Sequence, residues 1–595
     1  MRTRTKIICT LGPATNSYEK ILQLIDAGMN VARINMSHGD YDQHKKTIDL
    51  LKKARKEKKI PLAIMLDTKG PEVRVGSLPA PLVLEKGSLL KISQNPGEGE
   101  ITLEPVGVIK DIKLKAQVLF DDGYITSKVI EKHPDFLVVE IQNPGVLKSQ
   151  KGVNIPHAEL DLPAVTERDI SDIKFGCEQG IDIIAASFIR SHEHIITIKN
   201  LLTKNHAKHI MVIAKIENAL GVKNFDSILQ VADGIMVARG DLGVELPVTQ
   251  VPKLQKMMIR KCYQSFKPVV TATQMLESMI GNPRPTRAEV SDVANAIYDS
   301  TSAVMLSGET AVGKYPIETV ALMKNAIIEA EKDFNYEEFF YKDAARQVFN
   351  DISSSVALAA VKTAYSAHGK ALIALTTSGF TARLMGRFRP EMPIIAVTSD
   401  ENIYHQLAFL WGTVPVLEEV KDVKDGVRKA SCFAFTHKLV RYGDLIVVTS
   451  GTLFGVSGTT NVMLVDNIGD VLVRGLPNSG KKAYGKIEFF LTFDPQATYD
   501  FSGKIVVMTL CQEAFEPHLK KAAGIILQNH PDDTQSEDLV KQFSHDYKIP
   551  YLVRADAACN ALKKDQLVTL DPSKGLVFEG TVESEEEMRN SVCRF

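Results

Sequence analysis

The sequence lacks the features that mark secreted, membrane-spanning and nucleic-acid-binding proteins. No apolar stretch reaches the roughly 20 residues that a transmembrane helix needs, and the start of the chain shows no signal-peptide pattern. Basic and acidic residues nearly balance, 71 against 72, so no overall field attracts nucleic acid or an anionic membrane. The seven cysteines are scattered and form no C-x-x-C pair, which predicts reduced thiols in a cytoplasmic protein.

Aromatic residues are also scarce, at 7% with Trp411 as the one tryptophan, whereas short apolar runs are frequent. The 595 residues exceed what one hydrophobic core can organise, so three or four domains are expected. From residue 5 to about residue 335 the apolar runs alternate with helical patterns, which predicts an α/β fold built on a (β/α)8 TIM barrel. The eight predicted strands are Lys6–Thr10, Val31–Met36, Leu62–Leu66, Ile181–Ser187, Met211–Ala214, Gly234–Ala238, Val269–Thr273 and Ser302–Leu306.

Three further regions are predicted around this barrel. The helical pattern disappears between 71 and 160, where short strands are separated by turns such as Asn95-Pro96-Gly97. This stretch is interpreted as a small β-barrel lid inserted into the barrel of residues 1–70 and 161–340. Residues 341–476 predict an open α/β domain that binds an effector, and residues 483–595 predict an appended C-terminal module.

The ends of the fifth and sixth predicted strands carry the most informative residues. Lys215 and Glu217 follow one strand, and Arg239 and Asp241 follow the next. Polar residues at the carboxyl ends of barrel strands are candidates for catalysis. Two carboxylates suit Mg²⁺ or Mn²⁺, while the cations offset the charge of a phosphorylated substrate. This combination predicts phosphoryl transfer, in which positioning and charge stabilisation dominate.

Other strand ends complete the predicted site. Arg33 is predicted to bind the phosphoryl oxygens. The backbone N–H groups of the segment Gly240-Asp241-Leu242-Gly243 are predicted to bind a substrate carboxylate. Thr273 adds a hydroxyl contact. A nest for a monovalent cation is predicted from four oxygen-bearing residues, Asn35, Ser37, Asp67 and Thr68. A buried polar network closing the barrel mouth is the alternative interpretation of that group.

The motifs at these strand ends resemble those of pyruvate kinase over about residues 1–475. They are Ala32-Arg33-Ile34-Asn35-Met36-Ser37-His38-Gly39, Asp67-Thr68-Lys69-Gly70-Pro71-Glu72-Val73-Arg74, Ala214-Lys215-Ile216-Glu217-Asn218, Ala238-Arg239-Gly240-Asp241-Leu242-Gly243, Ala272-Thr273-Gln274-Met275-Leu276-Glu277 and Met305-Leu306-Ser307-Gly308-Glu309-Thr310-Ala311. The resemblance implies transfer of the phosphoryl group of phosphoenolpyruvate to ADP, giving ATP and pyruvate. It also implies a cytoplasmic homotetramer.

The resemblance implies roles for individual residues. Arg33 and Lys215 contact the phosphoryl group, and Thr273, Ser307 and Glu309 serve the protonation of the enolate. Glu217 and Asp241 bind Mg²⁺. The four oxygen-bearing residues match the family's K⁺ site, and Glu72, where other members have Lys, predicts K⁺ dependence. The nucleotide-binding residues are Asn35, His38, Arg74 and Lys151.

A loop in the second α/β region resembles the family's effector site. Its hydroxyls and backbone N–H groups are suited to a phosphate, and its predicted contacts are Thr376, Thr377, Ser378, Gly379 and Thr381. The family's second effector loop corresponds to residues 450–460, which contain no basic residue. A singly phosphorylated effector, a sugar or nucleotide monophosphate, therefore fits better than fructose bisphosphate.

The C-terminal module weakly resembles the phosphohistidine domain that some bacterial pyruvate kinases carry. The phosphorylatable histidine is expected directly after a pair of hydroxyl residues, but Ser536 is followed by Glu537. His545 lies further along, in a predicted helix. A structural or regulatory role is therefore predicted for this module rather than phosphate transfer.

Two other functions remain open on the residues alone. A Mg²⁺-dependent barrel lyase acting on pyruvate or another oxo acid would share the metal–enolate chemistry, although the lid and the second α/β region argue against it. A binding or sensor protein with an inactive site is the other alternative. Every matched catalytic position keeps its functional residue, which argues for an enzyme.

Overall fold

A computed structural model describes residues 2–344, 349–452 and 458–594. The chain divides into two compact units. The first comprises Met1–Leu358, Thr376–Leu417 and Gly455–Gly458, and the second comprises Ala359–Leu375, Glu418–Phe454 and Thr459–Phe595. No helix among the described residues is long and apolar enough to cross a membrane.

The predicted eight-stranded barrel is confirmed. Eight parallel strands close on themselves, with the first strand paired to both the second and the last. They run in chain order as Lys6–Thr10, Val31–Asn35, Ala63–Asp67, Ile183–Ala186, Met211–Ile216, Gly234–Ala238, Val269–Ala272 and Ala303–Leu306. Because both faces of each strand are covered, the strands are apolar without alternation.

Helices surround the barrel strands, and Ser17 caps the first of them by accepting the backbone N–H of Lys20. Thr166 and Thr286 cap two of the others with capping boxes, which satisfy N-terminal backbone donors. The helices are Tyr18–Ala27, Tyr41–Lys58, Glu167–Glu178, His192–Lys204, Ala219–Lys223, Phe225–Val231, Arg239–Glu245, Val251–Gln264, Arg287–Tyr298, Gly308–Ala311 and Pro316–Asp333.

The barrel has two apolar layers. The inner layer contains small and medium side chains from alternate strand positions, such as Ile8, Met65 and Ile213, with Phe409 among them. The outer layer lies between the strands and the helices and includes Ile7, Ile34 and Leu66. This alternation decides which residue at each strand end faces the barrel axis.

The inserted lid, residues 71–160, is a second closed barrel, as predicted. It has seven strands, with a separate two-stranded ladder of Leu82–Leu84 and Gly145–Leu147 beside them. An apolar core that includes Ile92, Phe120 and Val139 fills it. The seven strands are Val73–Val75, Leu89–Ser93, Ile101–Glu104, Gln117–Phe120, Ile125–Lys132, Phe136–Ile141 and Gly152–Asn154.

The following α/β region contributes to both compact units. In the first unit, Ile394–Thr398 pairs in parallel with Thr413–Leu417. In the second unit, Leu445–Gly451 pairs in parallel with Ala371–Leu375 and antiparallel with Thr460–Asn467. The helices of this region are Ile352–Ser366, Phe380–Gly386, Glu401–Leu407 and Val423–Thr436.

The C-terminal region forms a seven-stranded mixed sheet. Its first strand, Val471–Arg474, pairs with Leu576–Glu579, so the sheet begins before the predicted module boundary at 483. The remaining strands are Ala483–Phe489, Lys504–Met508, Gly524–Leu527, Tyr551–Leu552 and Leu567–Asp571. The helices are Glu516–Leu519, Thr534–Tyr547, Ala558–Ala561 and Glu585–Val592.

One sequence prediction about the cysteines is wrong. Cys432 and Cys593 form a disulfide bond, whereas Cys9, Cys177, Cys262, Cys511 and Cys559 are free thiols. The two bonded residues are 161 positions apart and share no spacing motif. Only the fold brings them together, so the sequence carried no local signal of the bond.

Candidate functional site

Polar side chains gather at the carboxyl ends of the barrel strands because the inward-facing row of each strand ends in them. In the fifth strand Met211 and Ile213 belong to the inner apolar layer, and Lys215 is next in that row. Arg33 follows Val31 in the inward row of the second strand, and Asp67 ends the inward row of the third strand. The fold therefore directs these charges toward one mouth of the barrel.

Asp67 joins the cationic residues of the site. Its carboxylate accepts hydrogen bonds from Arg33 Nε at 2.7 Å, from Lys215 Nζ at 3.0 Å and from Ser187 Oγ at 3.1 Å. Burial raises the pKa of Asp67, but the charges of Arg33 and Lys215 outweigh it and hold that pKa below its usual value. Asp67, on the third strand, is thus a carboxylate that fixes two cations, one on the second strand and one on the fifth.

Lys215 lies between two carboxylates. Its Nζ is 3.0 Å from Asp67 Oδ1 and 3.0 Å from Glu217 Oε1, and it donates to Ser187 Oγ at 2.7 Å. Burial lowers the pKa of Lys215, but Asp67 and Glu217 reverse this effect and raise the pKa above its ordinary value. Lys215 is therefore held as an ammonium ion.

Glu217 and Asp241 are the carboxylates predicted to hold the divalent metal. Burial raises the pKa of Glu217 to about 7; Lys215 opposes this shift and Asp241 adds to it. Burial also raises the pKa of Asp241. Two carboxylates that disfavour each other's charge fit a site for a divalent cation, which would stabilise both ionised forms. The backbone N–H of Phe188 orients Glu217 by donating to its Oε2 at 2.5 Å.

The protein ligands for such a cation are few. Among the residues that the structure describes, no group of three or more His, Cys, Asp or Glu side chains is placed to hold a metal ion. Mg²⁺ is commonly held by one or two carboxylates, with waters and substrate oxygens as its other ligands. The pair of Glu217 and Asp241 fits this donor set.

The residues predicted to bind a monovalent cation offer oxygen atoms at the same end of the barrel. Asn35 and Ser37 are half-buried, and Asp67 and Thr68 are buried. Asn35 Oδ1 accepts the backbone N–H of Ser37 at 3.1 Å, and Thr68 Oγ1 accepts that of Ser187 at 3.2 Å. These hydrogen bonds fit a buried polar network, which is the alternative interpretation of the group. The same oxygen atoms are also of the type that binds a hard cation.

Thr273 has an unusual backbone conformation at the end of the seventh strand. Its φ is +66°, which a β-branched residue rarely adopts. Its hydroxyl accepts the backbone N–H of Gly240 at 2.9 Å, and Arg239 Nη2 donates to its carbonyl at 2.7 Å. Arg239 also pairs with Asp292 at 2.6 Å. The guanidinium of Arg239 thus holds the Thr273 loop in shape, a role that the charge pattern at the strand end did not indicate.

Ser307 and Glu309 follow the eighth strand. Glu309 is fully buried, and its two carboxylate oxygens accept the backbone N–H groups of Leu276 at 3.1 Å and Ser307 at 2.7 Å. These bonds tie the loop after the seventh strand to the loop after the eighth. Glu309 therefore positions Ser307 through the backbone, and Ser307 itself is half-buried.

A cavity of about 620 Å³ contains three of the four predicted nucleotide-binding residues. His38, Arg74 and Lys151 line it together with Asp241, whereas Asn35 does not. Arg74 pairs with Glu72 at 2.5 Å, and Lys151 pairs with Asp121 at 2.7 Å. The volume lies in the range of small-molecule sites. Barrel and lid residues both contribute to its wall.

Some participants of the site were missed from the sequence. Ser187 bridges Lys215 and Asp67, and Thr10 Oγ1 accepts a hydrogen bond from Arg33 Nη1 at 2.8 Å. Both hydroxyl residues end the inward row of an apolar strand. That position was the available signal, since Thr10 follows Ile8 and Ser187 follows Ala185 in the inner layer.

The predicted effector residues lie together on the loop before the helix Phe380–Gly386 and in its first turn. Thr376 and Thr381 are buried, Ser378 is half-buried and Thr377 is exposed. Gly379 has a φ of +71°, which allows the chain to turn there. In the predicted second effector loop, residues 453–457 lie outside the described part of the chain.

Comparison with known proteins identifies relatives along nearly the whole chain. Residues 2–320 match the family model of the pyruvate kinase barrel domain, and residues 354–465 match that of the pyruvate kinase alpha/beta domain. A pyruvate kinase of Geobacillus stearothermophilus is 41% identical over 593 residues, 98% of this chain and 99% of the relative. The pyruvate kinase of Bacillus licheniformis is 40% identical over 584 residues, 97% of this chain and 99% of the relative.

Proposed function

The chain belongs to the pyruvate kinase family, and we propose how its residues perform the reaction of that family. It is a phosphotransferase that moves the phosphoryl group of phosphoenolpyruvate to ADP, giving ATP and pyruvate. The observation that carries the assignment of residues is the network in which Asp67 holds Arg33 and Lys215 beside Glu217.

Arg33 and Lys215 bind the phosphoryl group during its transfer. The raised pKa of Lys215 supports a role as a permanent cation rather than as a base, because an ammonium has no lone pair to accept a proton. Negative charge on the transferring oxygens is best stabilised by cations fixed in advance. Asp67 and Ser187 provide that fixation.

Glu217 and Asp241 hold Mg²⁺ or Mn²⁺ in this proposal. When bound, the metal supplies charge that stabilises the phosphoryl and enolate oxygens. The backbone N–H of Asp241 binds the substrate carboxylate, and that of Gly240 joins it when it leaves the hydroxyl of Thr273. Thr273 orients Gly240 through its hydroxyl and lies near the enolate carbon, where Ser307 delivers a proton with Glu309 positioning it.

His38, Arg74 and Lys151 contact ADP and ATP in the cavity that barrel and lid residues line. Asn35, which does not line this cavity, contacts the phosphates of the nucleotide. Two of these cations already pair with Glu72 and Asp121. Polyphosphate would replace these partially exposed carboxylates as a more highly charged partner. The shared cavity supports this assignment.

A K⁺ ion held by Asn35, Ser37, Asp67 and Thr68 activates the enzyme in this proposal. The oxygen-only donor set and the carboxylate of Glu72 support it. Replacing Glu72 by Lys supplies a cation from the chain itself. We expect Glu72→Lys to lose most of the K⁺ stimulation of kcat that the unchanged protein shows, and equal stimulation of both proteins would contradict the proposal.

The effector is a sugar or nucleotide monophosphate bound by Thr376, Thr377, Ser378, Gly379 and Thr381. The hydroxyl groups on one turn provide contacts for one phosphate. The absence of a basic residue in 450–460 leaves a second phosphate without a cationic partner, which supports an effector with a single phosphate. Assays of phosphoenolpyruvate saturation with a panel of monophosphates and bisphosphates test this proposal. Stronger activation by bisphosphates than by any monophosphate would refute it.

A cytoplasmic homotetramer is proposed as the working assembly. Strand Thr460–Asn467 ends its ladder, and Met463, Leu464 and Val465 are 39 to 42% exposed there. A row of exposed apolar side chains on an edge strand favours contact with a second copy. Light scattering at several protein concentrations measures the mass, and a monomer at every concentration would contradict this assembly.

The C-terminal module is proposed to be structural or regulatory rather than a phosphate carrier. Glu537 stands where the phosphorylatable histidine is expected and is buried. Arg554 Nε donates to its Oε1 at 2.6 Å, and Asn529 Nδ2 does so at 3.1 Å. His545 is almost fully exposed on a helix, without the enclosure that a phosphate-transfer site needs.

The assignment of Lys215 is tested by coupled ATP formation from phosphoenolpyruvate and ADP. We expect Lys215→Met to lower kcat by at least about 10³-fold, the cost of losing a fixed cation at the reacting group. Lys45→Met, on an exposed helix face, is the matched control and should retain activity. Unchanged turnover in Lys215→Met would refute the role, and cleavage of an oxo acid without ATP formation would favour the lyase.

A further inference from the structure

The bond between Cys432 and Cys593 joins the α/β region to the end of the C-terminal module. Cys432 lies on helix Val423–Thr436, and Cys593 directly follows helix Glu585–Val592. Both residues belong to the second compact unit, and their Cα atoms are 4.9 Å apart. Each residue is half-buried rather than enclosed in the core.

The C-terminal helix has few other attachments. Val592 is its one buried side chain, and most of its residues are exposed. Ser591 Oγ donates to Asp470 Oδ2 at 2.7 Å and lies 3.0 Å from Tyr442 Oη. An eight-residue helix is not stable in water by itself. The disulfide is therefore the main constraint that keeps this helix on the helix Val423–Thr436.

We propose that Cys432 and Cys593 are a reversible redox-modification site that fastens the C-terminal helix. In a reducing compartment disulfides are usually transient and redox-sensing. Cys432 and Cys593 are partly exposed residues and so more open to exchange than Cys9, Cys262 and Cys511, whose free thiols are buried. Oxidation fastens the helix, and reduction leaves it attached through Val592 and Ser591.

The chemistry is thiol–disulfide exchange with a low-molecular-weight disulfide. One protein thiolate attacks a sulfur of that disulfide, forms a mixed disulfide and releases one small thiolate. The second protein thiolate then attacks the protein sulfur of the mixed disulfide, which forms the Cys432–Cys593 bond and releases the second small thiolate. A reducing dithiol reverses both steps and is itself oxidised to a disulfide.

Local opening of the helix is the quantity that should respond. A cross-link across 161 residues removes many open conformations, so the oxidised helix opens more rarely. Amide hydrogen exchange in residues 583–594 measures this opening. Full-length protein treated with glutathione disulfide or with dithiothreitol provides the two states, and peptide mapping without reduction verifies the linkage.

We expect the oxidised protein to yield a cross-linked peptide pair containing Cys432 and Cys593, with exchange in 583–594 slowed at least about tenfold relative to the reduced protein. Cys593→Ser should exchange at the reduced rate under both treatments. Cys559→Ser, which removes a half-buried free thiol, should keep the full response. Phosphotransferase activity of each variant verifies that it is folded.

Three results would overturn the proposal, and the third concerns its reversibility. One is the absence of the linked peptide after treatment with glutathione disulfide, which would show that the pair is not oxidised by exchange. Another is complete linkage with equal exchange in both states, which would show that the bond does not fasten the helix. Linkage that dithiothreitol fails to reduce in the folded protein would refute reversibility.

Discussion

Asp67 shows how one buried carboxylate organises several strands of a barrel. Its oxygens contact Arg33, Lys215 and Ser187, which lie on the second, fifth and fourth strands. The pairing offsets the cost of burying three charges, and it also fixes where the two cations point. In the proposed mechanism, stability and catalysis therefore depend on the same oxygen atoms.

We predict that Asp67→Asn weakens both properties. Loss of the negative charge leaves Arg33 and Lys215 without their common partner, so kcat should fall at least about 100-fold and the free energy of unfolding by about 3 kcal/mol. Steady-state kinetics and urea unfolding measure the two effects. Asp49→Asn breaks an exposed pair with Lys45 and should change stability by less than about 0.5 kcal/mol. Equal effects of the two substitutions would contradict the role of Asp67.

At the scale of elements, a hydrogen bond joins the lid to the helix that carries Asp241. Asn154, on the lid strand Gly152–Asn154, donates to Glu245 Oε1 at 3.1 Å. Glu245 is the last residue of helix Arg239–Glu245, and Lys151 precedes the lid strand. The contact therefore lies between a proposed nucleotide-binding residue, Lys151, and the proposed metal ligand, Asp241.

We predict that Asn154→Ala raises the KM for ADP several-fold and lowers kcat less. Loss of the hydrogen bond destabilises by about 1 kcal/mol the lid position in which Lys151 lines the cavity. The residues proposed to bind the phosphoryl group are unchanged. Initial rates over a range of ADP concentrations measure the change. Asn95→Ala alters an exposed lid turn and is the control. A drop in kcat with an unchanged KM would contradict the proposal that this hydrogen bond holds the lid in its nucleotide-binding position.

A second contact between elements gives a pH dependence of stability. His405 is buried on helix Glu401–Leu407 and accepts the backbone N–H of Leu62 through Nδ1 at 3.3 Å. Burial, with a smaller effect of Arg55, lowers the pKa of His405 to about 3. The folded protein therefore keeps His405 neutral, while the unfolded chain binds a proton below pH 6.5.

We predict that His405 removes about 2 kcal/mol of stability between pH 7 and pH 5. Its folded pKa lies below its unfolded value, so this stability is present above pH 6.5 and is lost as the pH falls toward 3. Burial raises the pKa of nearby Asp182 to about 6, which acts in the opposite direction. The comparison of His405→Gln with the unchanged protein cancels that term. Parallel stability curves for the two proteins would contradict the prediction.

For the whole molecule, the junction between the α/β region and the C-terminal module determines where the chain can be shortened. Strand Val471–Arg474 pairs with Leu576–Glu579, and the ring of Tyr442 packs on Phe578 with centroids 4.9 Å apart. Lys574 also donates to the carbonyl oxygen of Tyr442. The module thus packs on residues that precede the predicted boundary.

We predict that removal of residues 480–595 lowers the melting temperature by at least about 5 °C. The truncation exposes Tyr442 and leaves strand Val471–Arg474 without its partner, while the barrel site is untouched. Differential scanning fluorimetry measures the shift, and the coupled assay at 25 °C should give a kcat near that of the full chain. An unchanged melting temperature would show that these contacts contribute little to stability.

Much of this architecture is predictable because it follows from local patterns. Buried parallel strands need apolar runs, and the polar residues that follow these runs lie at the carboxyl ends of the strands. Arg33, Lys215 and Glu217 could therefore be predicted to lie at the same end of the barrel. Thr10 and Ser187 were missed because one hydroxyl at the end of an apolar run is no local signal. Arg239 was placed at the site by its charge, but its partners Asp292 and Thr273 are set by tertiary structure. The Cys432–Cys593 bond and the early start of the C-terminal sheet depend on contacts between distant residues.

The connectivity of the two closed barrels has a consequence for biosynthesis. All seven strands of the lid barrel lie between Val73 and Asn154, whereas the first strand of the larger barrel pairs with Ala303–Leu306. On the ribosome the lid barrel can fold while five strands of the larger barrel have not yet been synthesised. The first strand must wait, with one edge unpaired, until residue 306 has emerged. During synthesis the inserted domain therefore forms before the domain that contains it.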